Sequence, residues 1–341
     1  MMPSGKEVRL TTINDVFPAM YSTLSTEPLL DFVSRGYNFA RFKECKLLAR
    51  GLNDTYVLTT TEDERYVLRV YRANWRSLDE IAFEIDALIY LHQKGIRVSI
   101  PLRRNDQGFI HAIKTIEGIR YVVLFTFAPG KNPKYEKEEE AVLYGKAVAW
   151  VHRATDDFTT THSRFSLDLD HLIYSPIRAI RPFLLHRAQD WEHLENLCTG
   201  LSAALSSLPL SNLERGFCHG DFHGWNASFS EDGNVTFYDF DCGGIGWRAY
   251  DVAVFRWHSM LREKEMENWD AFLRGYSEVR ELKAADIEAV PLFIGARHVW
   301  IMGLHTTNAY EWGWLNDDYF DHQLKFLYKW ETKYLAQKGS G

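Results

Sequence analysis

The run Cys218-His219-Gly220-Asp221-Phe222-His223-Gly224-Trp225-Asn226 places an Asp two residues after a His and an Asn five residues after that Asp. An Asp so placed can orient a hydroxyl and accept its proton, while the Asn oxygen can ligate a divalent cation. Together they are the working parts of a phosphoryl-transfer loop. Downstream, Tyr238-Asp239-Phe240-Asp241 offers carboxylates at i and i+2. Between the two segments, residues 227–240 read as two short strands around the turn dipeptide Asp232-Gly233. A two-residue turn there makes Asn226 and Asp239 cross-strand partners on one face, as a single Mg²⁺ site requires. His219, Asp221 and His223 also alternate, and on a strand they could face one metal, as in a metal-dependent hydrolase. That reading leaves Asn226 and the hairpin without a role.

The elements that must position these residues follow from periodicity. Residues 42–48, 55–60 and 66–71 read as strands, with a polar turn at 62–64. Residues 77–94 turn helical, with Ile81, Ile85, Leu88 and His92 on one stripe and Gly95 just beyond. Residues 121–127 form a further strand that runs into the turn Ala128-Pro129-Gly130. Mostly helices follow, and the acidic run 136–140 reads as the solvated first turns of one. On strand 66–71, Val67 and Arg69 share a face. Glu80 and Glu84, one helical turn apart, fit either a solvated face or a pairing with Arg69.

The 341 residues exceed what one core usually organises, so two lobes are expected. A hydrophobic share of 46% with 25% charged residues excludes disordered, collagen-like and coiled-coil chains. The 39 basic and 46 acidic side chains give a formal charge of −7, which argues against a nucleic-acid partner. Cys45, Cys198, Cys218 and Cys242 form no CxxC pair, so neither a zinc knuckle nor a disulfide framework is indicated, and a reducing cytosol is expected. Cys218 and Cys242, which flank the two motifs, read as buried small apolar residues. The first ten residues hold no apolar signal region. The longest uncharged stretch, 196–213, is interrupted by Ser, Gly, Asn and Pro and reads as a helix followed by a loop, so no membrane span is expected.

The HGD…N segment, the DFD that follows, Gly243-Gly244-Ile245-Gly246 and then Tyr250-Asp251-Val252-Ala253 resemble the aminoglycoside phosphotransferase and choline kinase superfamily. These kinase-like phosphotransferases include type II homoserine kinases and bacterial stress-response Ser/Thr kinases. The resemblance covers about residues 40–335. It implies an α+β, bilobal protein-kinase-like fold with ATP between a small β-rich N-lobe (1–127) and a larger helical C-lobe (128–341). It also implies roles: Asp221 as the catalytic Asp, His219 buttressing its loop, Asn226 and Asp239 as Mg²⁺ ligands assisted by Asp241, and Asp251 bracing the loop from beneath. Val67 would cover adenine, Arg69 would contact phosphates and pair with Glu84, and the Thr126 carbonyl and Ala128 N–H would bond adenine.

The sequence departs from the family pattern in places. Arg69 stands where Lys is frequent, but Arg keeps the charge and can grip an oxyanion with two donors. Arg50-Gly51-Leu52-Asn53 has one glycine where G-x-G-x-x-G would cradle phosphates, with Asn53 its nucleotide-side candidate. Gly220 lies where protein kinases commonly carry an Arg that reads a phosphorylated activation loop. The dozen or so residues from Asp239 to Asp251 are too few for such a loop, so the active site is expected to assemble without phosphorylation.

The late rings Trp300, Tyr310, Trp312, Trp314, Tyr319 and Tyr328 surround Glu311, Asp317 and Asp318. Each ring fits core packing, but rings among carboxylates also suit an organic cation. His223, Trp312, Asp317 and Asp318 are therefore the acceptor-side candidates. The expected function is a cytoplasmic, ATP- and Mg²⁺-dependent kinase acting on a hydroxyl of a small, amine-bearing molecule. A Ser/Thr protein kinase with a protein substrate is the alternative.

Overall fold

Alternating apolar residues build the first part of the chain into a sheet. Helix α1 (Thr26–Gly36) precedes β1 (Phe42–Arg50), β2 (Asn53–Thr60) and β3 (Arg65–Tyr71), followed by α2 (Leu78–Gln93), β4 (His111–Thr115) and β5 (Gly118–Thr126). The structure, a computed structural model, describes residues 19–308 and 314–335. The five strands pair antiparallel in the order β1-β2-β3-β5-β4. Period-two alternation gives this sheet two different faces. Leu68, Val70, Val122 and Leu124 meet Leu29 and Val33 of α1 in a small core. Tyr71, Val123 and Phe125 instead join the main core with Ile81, Ile85 and Leu88 of α2.

A capping box starts α2: Ser77 Oγ accepts from Glu80 N at 3.2 Å, and Ser77 N donates to the Glu80 carboxylate at 2.8 Å. Glu80 is spent at the helix start, whereas Glu84 one turn on is buried. The expected stripe holds for Ile81, Ile85 and Leu88, but His92 is exposed and Leu91 takes the buried position. An imidazole is more easily left in water than a leucine.

Beyond β5 the chain passes through residues 127–137 into a helical part. It runs α3 (Glu138–Ala154), β6 (Ser166–Leu167), α4 (Ser175–Leu184), α5 (Ala188–Ser207), β7 (Arg215–Cys218), β8 (Ala227–Phe229), β9 (Val235–Phe237), β10 (Gly244–Trp247), α6 (Arg248–Leu261), α7 (Glu265–Ser277), α8 (Ala284–Thr307) and α9 (Asp317–Tyr334). Helix α8 packs on α4, α5, α6 and α9. By length and composition it is the one described helix that could cross a membrane, yet 72% of its apolar window is buried inside the protein, where it serves as the core helix. The architecture is α+β, with the sheet in one lobe and most helices in the other.

The β8–β9 hairpin differs by one residue from the expected register. Ala227, Ser228 and Phe229 pair with Phe237, Thr236 and Val235. Ser230 N donates to Asn234 O at 3.0 Å, so Glu231, Asp232 and Gly233 form a three-residue loop. Gly233 supplies the left-handed residue such a loop needs, with φ 75°. Asn226 consequently lies opposite Tyr238, whose N–H donates to its carbonyl at 3.0 Å, and not opposite Asp239.

Candidate active site

The loop leaving β7 is fixed from two sides. From α6, the Asp251 carboxylate accepts from the backbone N–H groups of His219 and Gly220, each at 2.7 Å, with His152 Nε2 at 3.2 Å behind it. This is the brace anticipated for Asp251. From within the loop, His219 Nδ1 accepts from Asp221 N at 3.2 Å, which leaves its Nε2–H to donate to Tyr238 O at 3.1 Å. Burial pushes the imidazole pKa down, in keeping with this neutral tautomer. Both ring nitrogens face protein groups, so the hydrolase-like set of His219, Asp221 and His223 is not assembled. Among the described residues no cluster of three His, Cys, Asp or Glu could hold a metal ion. Gly220 has φ 76°, and a Cβ on it would collide with the Cys242 carbonyl. No larger residue fits there without moving the loop.

Asp221 presents a crowded carboxylate. Oδ2 accepts from Asn226 Nδ2 at 2.9 Å and lies 3.3 Å from His223 Nε2, while Oδ1 is ion-paired with Arg297 of α8. Burial alone would raise this carboxyl, but His223 and Arg297 outweigh it and hold the group well below the usual range. Arg297 also donates from Nη1 to Gly220 O at 3.2 Å. Sequence reasoning missed it, since nothing in the apolar stretch around it marks that one cation as facing the loop.

Asp239 follows β9 in a left-handed conformation, φ 62° and ψ 60°. Its Oδ1 accepts from Arg69 Nη2 at 2.9 Å, and Arg69 Nη1 donates to Glu84 at 2.7 Å. Tyr71 OH adds a 3.0 Å bond to the second Glu84 oxygen. The expected Arg69–Glu84 pair is therefore formed, and it reaches on to Asp239. Burial pushes the Asp239 carboxyl up, Arg69 pulls it back, and Asp241 and Asp221 push it further up. Its side chain still keeps 49% exposure, the position of a cleft floor. Excess negative potential at that floor suits a cation. Asn226 turns its amide donor to Asp221, which leaves its oxygen as the remaining acceptor. Asn226 and Asp239 thus fit a divalent metal by chemistry, although they are not cross-strand partners.

A cavity of about 440 Å³ opens between the lobes above Asp239. Val67, Phe125, Phe127 and Ala128 give it apolar walls, and Arg69, Glu84 and Asp239 form its polar end. Thr126 lies between two wall residues, with its Oγ1 accepting from Ile100 N at 2.8 Å. Asn53 does not line the cavity. Its side-chain oxygen accepts from Arg72 N at 3.4 Å, so the single-glycine turn contributes structure there and not a phosphate contact. Asp241 is likewise corrected as a metal ligand. Its oxygens accept from Arg76 Nε at 3.1 Å and Trp75 Nε1 at 2.8 Å, and Arg164 lies 3.9 Å away. Burial would raise this carboxyl, but Arg76, Arg164 and Arg69 hold it at about 2. It clamps the segment before α2 to the helical lobe.

Of the residues expected on the acceptor side, His223 reaches the Asp221 carboxylate, but the late acidic residues do not. Trp312, with Tyr310 and Glu311, lies outside the described residues. Asp317 pairs with His186 at 2.9 Å and Arg187 at 3.6 Å, and Asp318 is exposed. Both sit in the first turn of α9, where carboxylates complement the helix dipole. Tyr328 OH donates to Asp190 at 3.2 Å, and Trp300 packs under Arg297 with its Nε1–H on His171 at 3.1 Å.

A braced loop carrying Asp221 and facing an interlobe cleft with an Arg–Glu pair is the arrangement expected of a kinase-type phosphotransferase. Residues 44–286 match the phosphotransferase enzyme family (APH), and the chain belongs to that family. A protein of Deinococcus radiodurans is 38% identical over 326 residues, 94% of each chain. A homoserine kinase of Rhodospirillum rubrum is 28% identical over 305 residues, covering 86% of this chain and 88% of the relative. Among solved structures, an amicoumacin kinase in complex with AMP-PNP, Ca²⁺ and Ami has the same fold, with a TM-score of 0.76 at 22% identity, covering 90% of this chain and 93% of that one.

Proposed function

We propose that this enzyme transfers the γ-phosphoryl group of ATP to a hydroxyl of a small, amine-bearing molecule in the cytoplasm. The carrying observation is the single loop that holds the ionised Asp221 by Asn226 Nδ2, with Arg69 and Asp239 at the end of the interlobe cavity. Adenine would lie between Val67 and the wall of Phe125, Phe127 and Ala128, bonded to the backbone at Thr126 and Ala128. Asn226 and Asp239 would hold Mg²⁺, which when bound neutralises phosphate charge. Arg69, steadied by Glu84, would meet a phosphate oxygen.

Asp221 would orient the acceptor hydroxyl and accept its proton while the new O–P bond forms and the bond from the γ-phosphorus to ADP breaks. The names of the homoserine and amicoumacin kinases support a small-molecule acceptor, and homoserine carries both an amine and a hydroxyl. Against a protein substrate stands the short route from Asp239 to Asp251, which a single 3₁₀ turn (Phe240–Cys242), β10 and the start of α6 occupy almost entirely. Incubation with γ-labelled ATP, Mg²⁺ and either a metabolite extract or cell proteins tests the proposal. Label on a small molecule supports it, and label on Ser or Thr of proteins alone rejects it.

A further inference from the structure

Between its apolar walls and Asp239, the interlobe cavity is lined from the helical lobe by Asn132, Ser228 and Tyr238. All three have spent their hydrogen-bond donors on the protein. Ser228 Oγ donates to the Pro129 carbonyl at 2.7 Å, and Tyr238 OH donates to the Trp225 carbonyl at 2.8 Å. Asn132 Nδ2 faces three acceptors: the carbonyls of Trp225 at 2.7 Å and Ala227 at 3.0 Å, and the Tyr238 hydroxyl oxygen at 2.6 Å. Three acceptors around one end of the amide identify that end as the nitrogen. Asn132 Oδ1 is then the end to which no described residue donates.

A side-chain amide with both hydrogens committed and its oxygen at a cavity wall calls for a donor on the ligand. Phosphate oxygens only accept, so they gain nothing at this acceptor. Position along the cavity identifies the donor. Val67, Phe125, Phe127 and Ala128 suit a base at one end, and Arg69 and Asp239 suit phosphates and a cation at the other. Asn132 lies between these ends, five residues beyond Phe127 and bonded to the carbonyls on both sides of Asn226. In a nucleotide the part between base and phosphates is the sugar, whose 2′- and 3′-hydroxyls can donate. The bonds from Nδ2 hold the amide before any nucleotide arrives, so a sugar hydroxyl meets a fixed acceptor.

We propose that Asn132 reads the sugar of the nucleotide, its Oδ1 accepting from a ribose hydroxyl, and that the enzyme thereby selects ribonucleotides over deoxynucleotides. This rests on the phosphotransfer reading above and extends it to the part of the nucleotide that the base and phosphate contacts leave unread.

The test is calorimetric titration of the full-length protein, in Mg²⁺, with ATP, 2′-deoxy-ATP and 3′-deoxy-ATP, and in parallel with the same three forms of the guanine nucleotide. A site built to bond a hydroxyl rejects the analogue that lacks it, and because Asn132 is exposed the expected factor is modest. For the purine that binds, at least one deoxy form should bind about fivefold or more weaker than the ribonucleotide. Asn132→Ala also releases the carbonyls beside Asn226 and can weaken every form, but that cost is common to all of them. The ratio between the ribonucleotide and that deoxy form should fall to within about twofold of one. The ratio does not depend on how much of the variant is folded, and a purely structural Asn132 would leave it at the parental value. Parental affinities within about twofold for all three forms, or a discrimination that survives Asn132→Ala, overturns the inference and leaves phosphotransfer standing. Failure of every nucleotide to bind the parent overturns both.

Discussion

Replacing Arg297 by Leu removes the charge behind the Asp221 carboxylate without changing any residue of the loop that carries it. Arg297 is 1% exposed and bonds both Asp221 and the Gly220 carbonyl. Deleting one partner of a buried ion pair costs about 3–5 kcal/mol when the other charge is stranded. Asp221 would keep Asn226 at 2.9 Å and His223 at 3.3 Å, and its side chain is 17% exposed, so the lower end applies. About 3 kcal/mol in a helical lobe of this size corresponds to a fall of roughly 6–12 °C in Tm. The pH dependence has a definite sign. A depressed carboxyl contributes stability that is present above its ordinary pKa and is lost as pH falls through its folded value. Without Arg297 that folded value rises toward the ordinary one, so the acid-linked loss is smaller and is complete at a higher pH. Turnover should fall about tenfold to a hundredfold because the carboxylate is no longer held in one orientation. Calorimetry at neutral and mildly acidic pH, with steady-state kinetics, reads all three effects. Arg297→Lys should recover part of the stability through its charge and little of the turnover, because the two-pronged hold on Gly220 and Asp221 is gone. A Tm within about 2 °C of the parent with kcat within about twofold would refute the positioning role.

Three further perturbations follow from the same geometry. Arg69→Ala should weaken ATP binding by about tenfold or more in calorimetric titration, because the phosphate loses a cation and Glu84 a partner. Unchanged affinity and turnover would make Arg69 a purely structural link. Gly220→Ala should lower stability by about 2 kcal/mol, from a left-handed φ and a clash with the Cys242 carbonyl, and a thermal melt identical to the parent would contradict that. His298 accepts from Trp257 Nε1 at 3.1 Å, stacks on Phe326 at 4.1 Å, and is pushed down to about 3, chiefly by burial. The unfolded chain protonates this ring near pH 6.5 while the folded one does not, so stability should fall as pH drops from there toward 3. His298→Phe keeps the stack and should flatten that slope in urea titrations between mildly acidic and neutral pH.

Much of the site was legible because its chemistry is local. The HGD…N spacing lies within one loop, and Val67 and Arg69 share a face by period two alone. Glu84 could be matched to Arg69 only through the family resemblance, because Glu80 and Glu84 one turn apart also fit a solvated helix face. What failed depended on a single residue of register or on the far side of the fold. Asp232-Gly233 signals a hairpin but not whether its loop has two or three residues, and that one residue moved Asp239 out of line with Asn226. Asp241 is a carboxylate beside a carboxylate in sequence, and only tertiary packing brings Trp75, Arg76 and Arg164 around it. Asp317 and Asp318 have the composition of a cation site, yet they serve the start of α9. β4 left little trace because, at the sheet edge, two of its five residues are exposed and the other three only partly covered. Arg297 was invisible since a cation in an apolar helix carries no mark of what it will face.

The most direct measurement is a single-turnover transfer of label from γ-labelled ATP in the parent enzyme and in Asp221→Asn, alongside the dissociation constant for Mg-ATP in both. Asp239 and Arg69 make no bond to Asp221, and Asn226 can keep its Nδ2–H on the amide oxygen that replaces Oδ2, so nucleotide affinity should stay within about threefold, while transfer to the acceptor should fall by a factor on the order of 100 to 10,000. Transfer at the parental rate in Asp221→Asn, with binding intact, would contradict the assignment of Asp221 and with it the phosphotransfer site described for this loop.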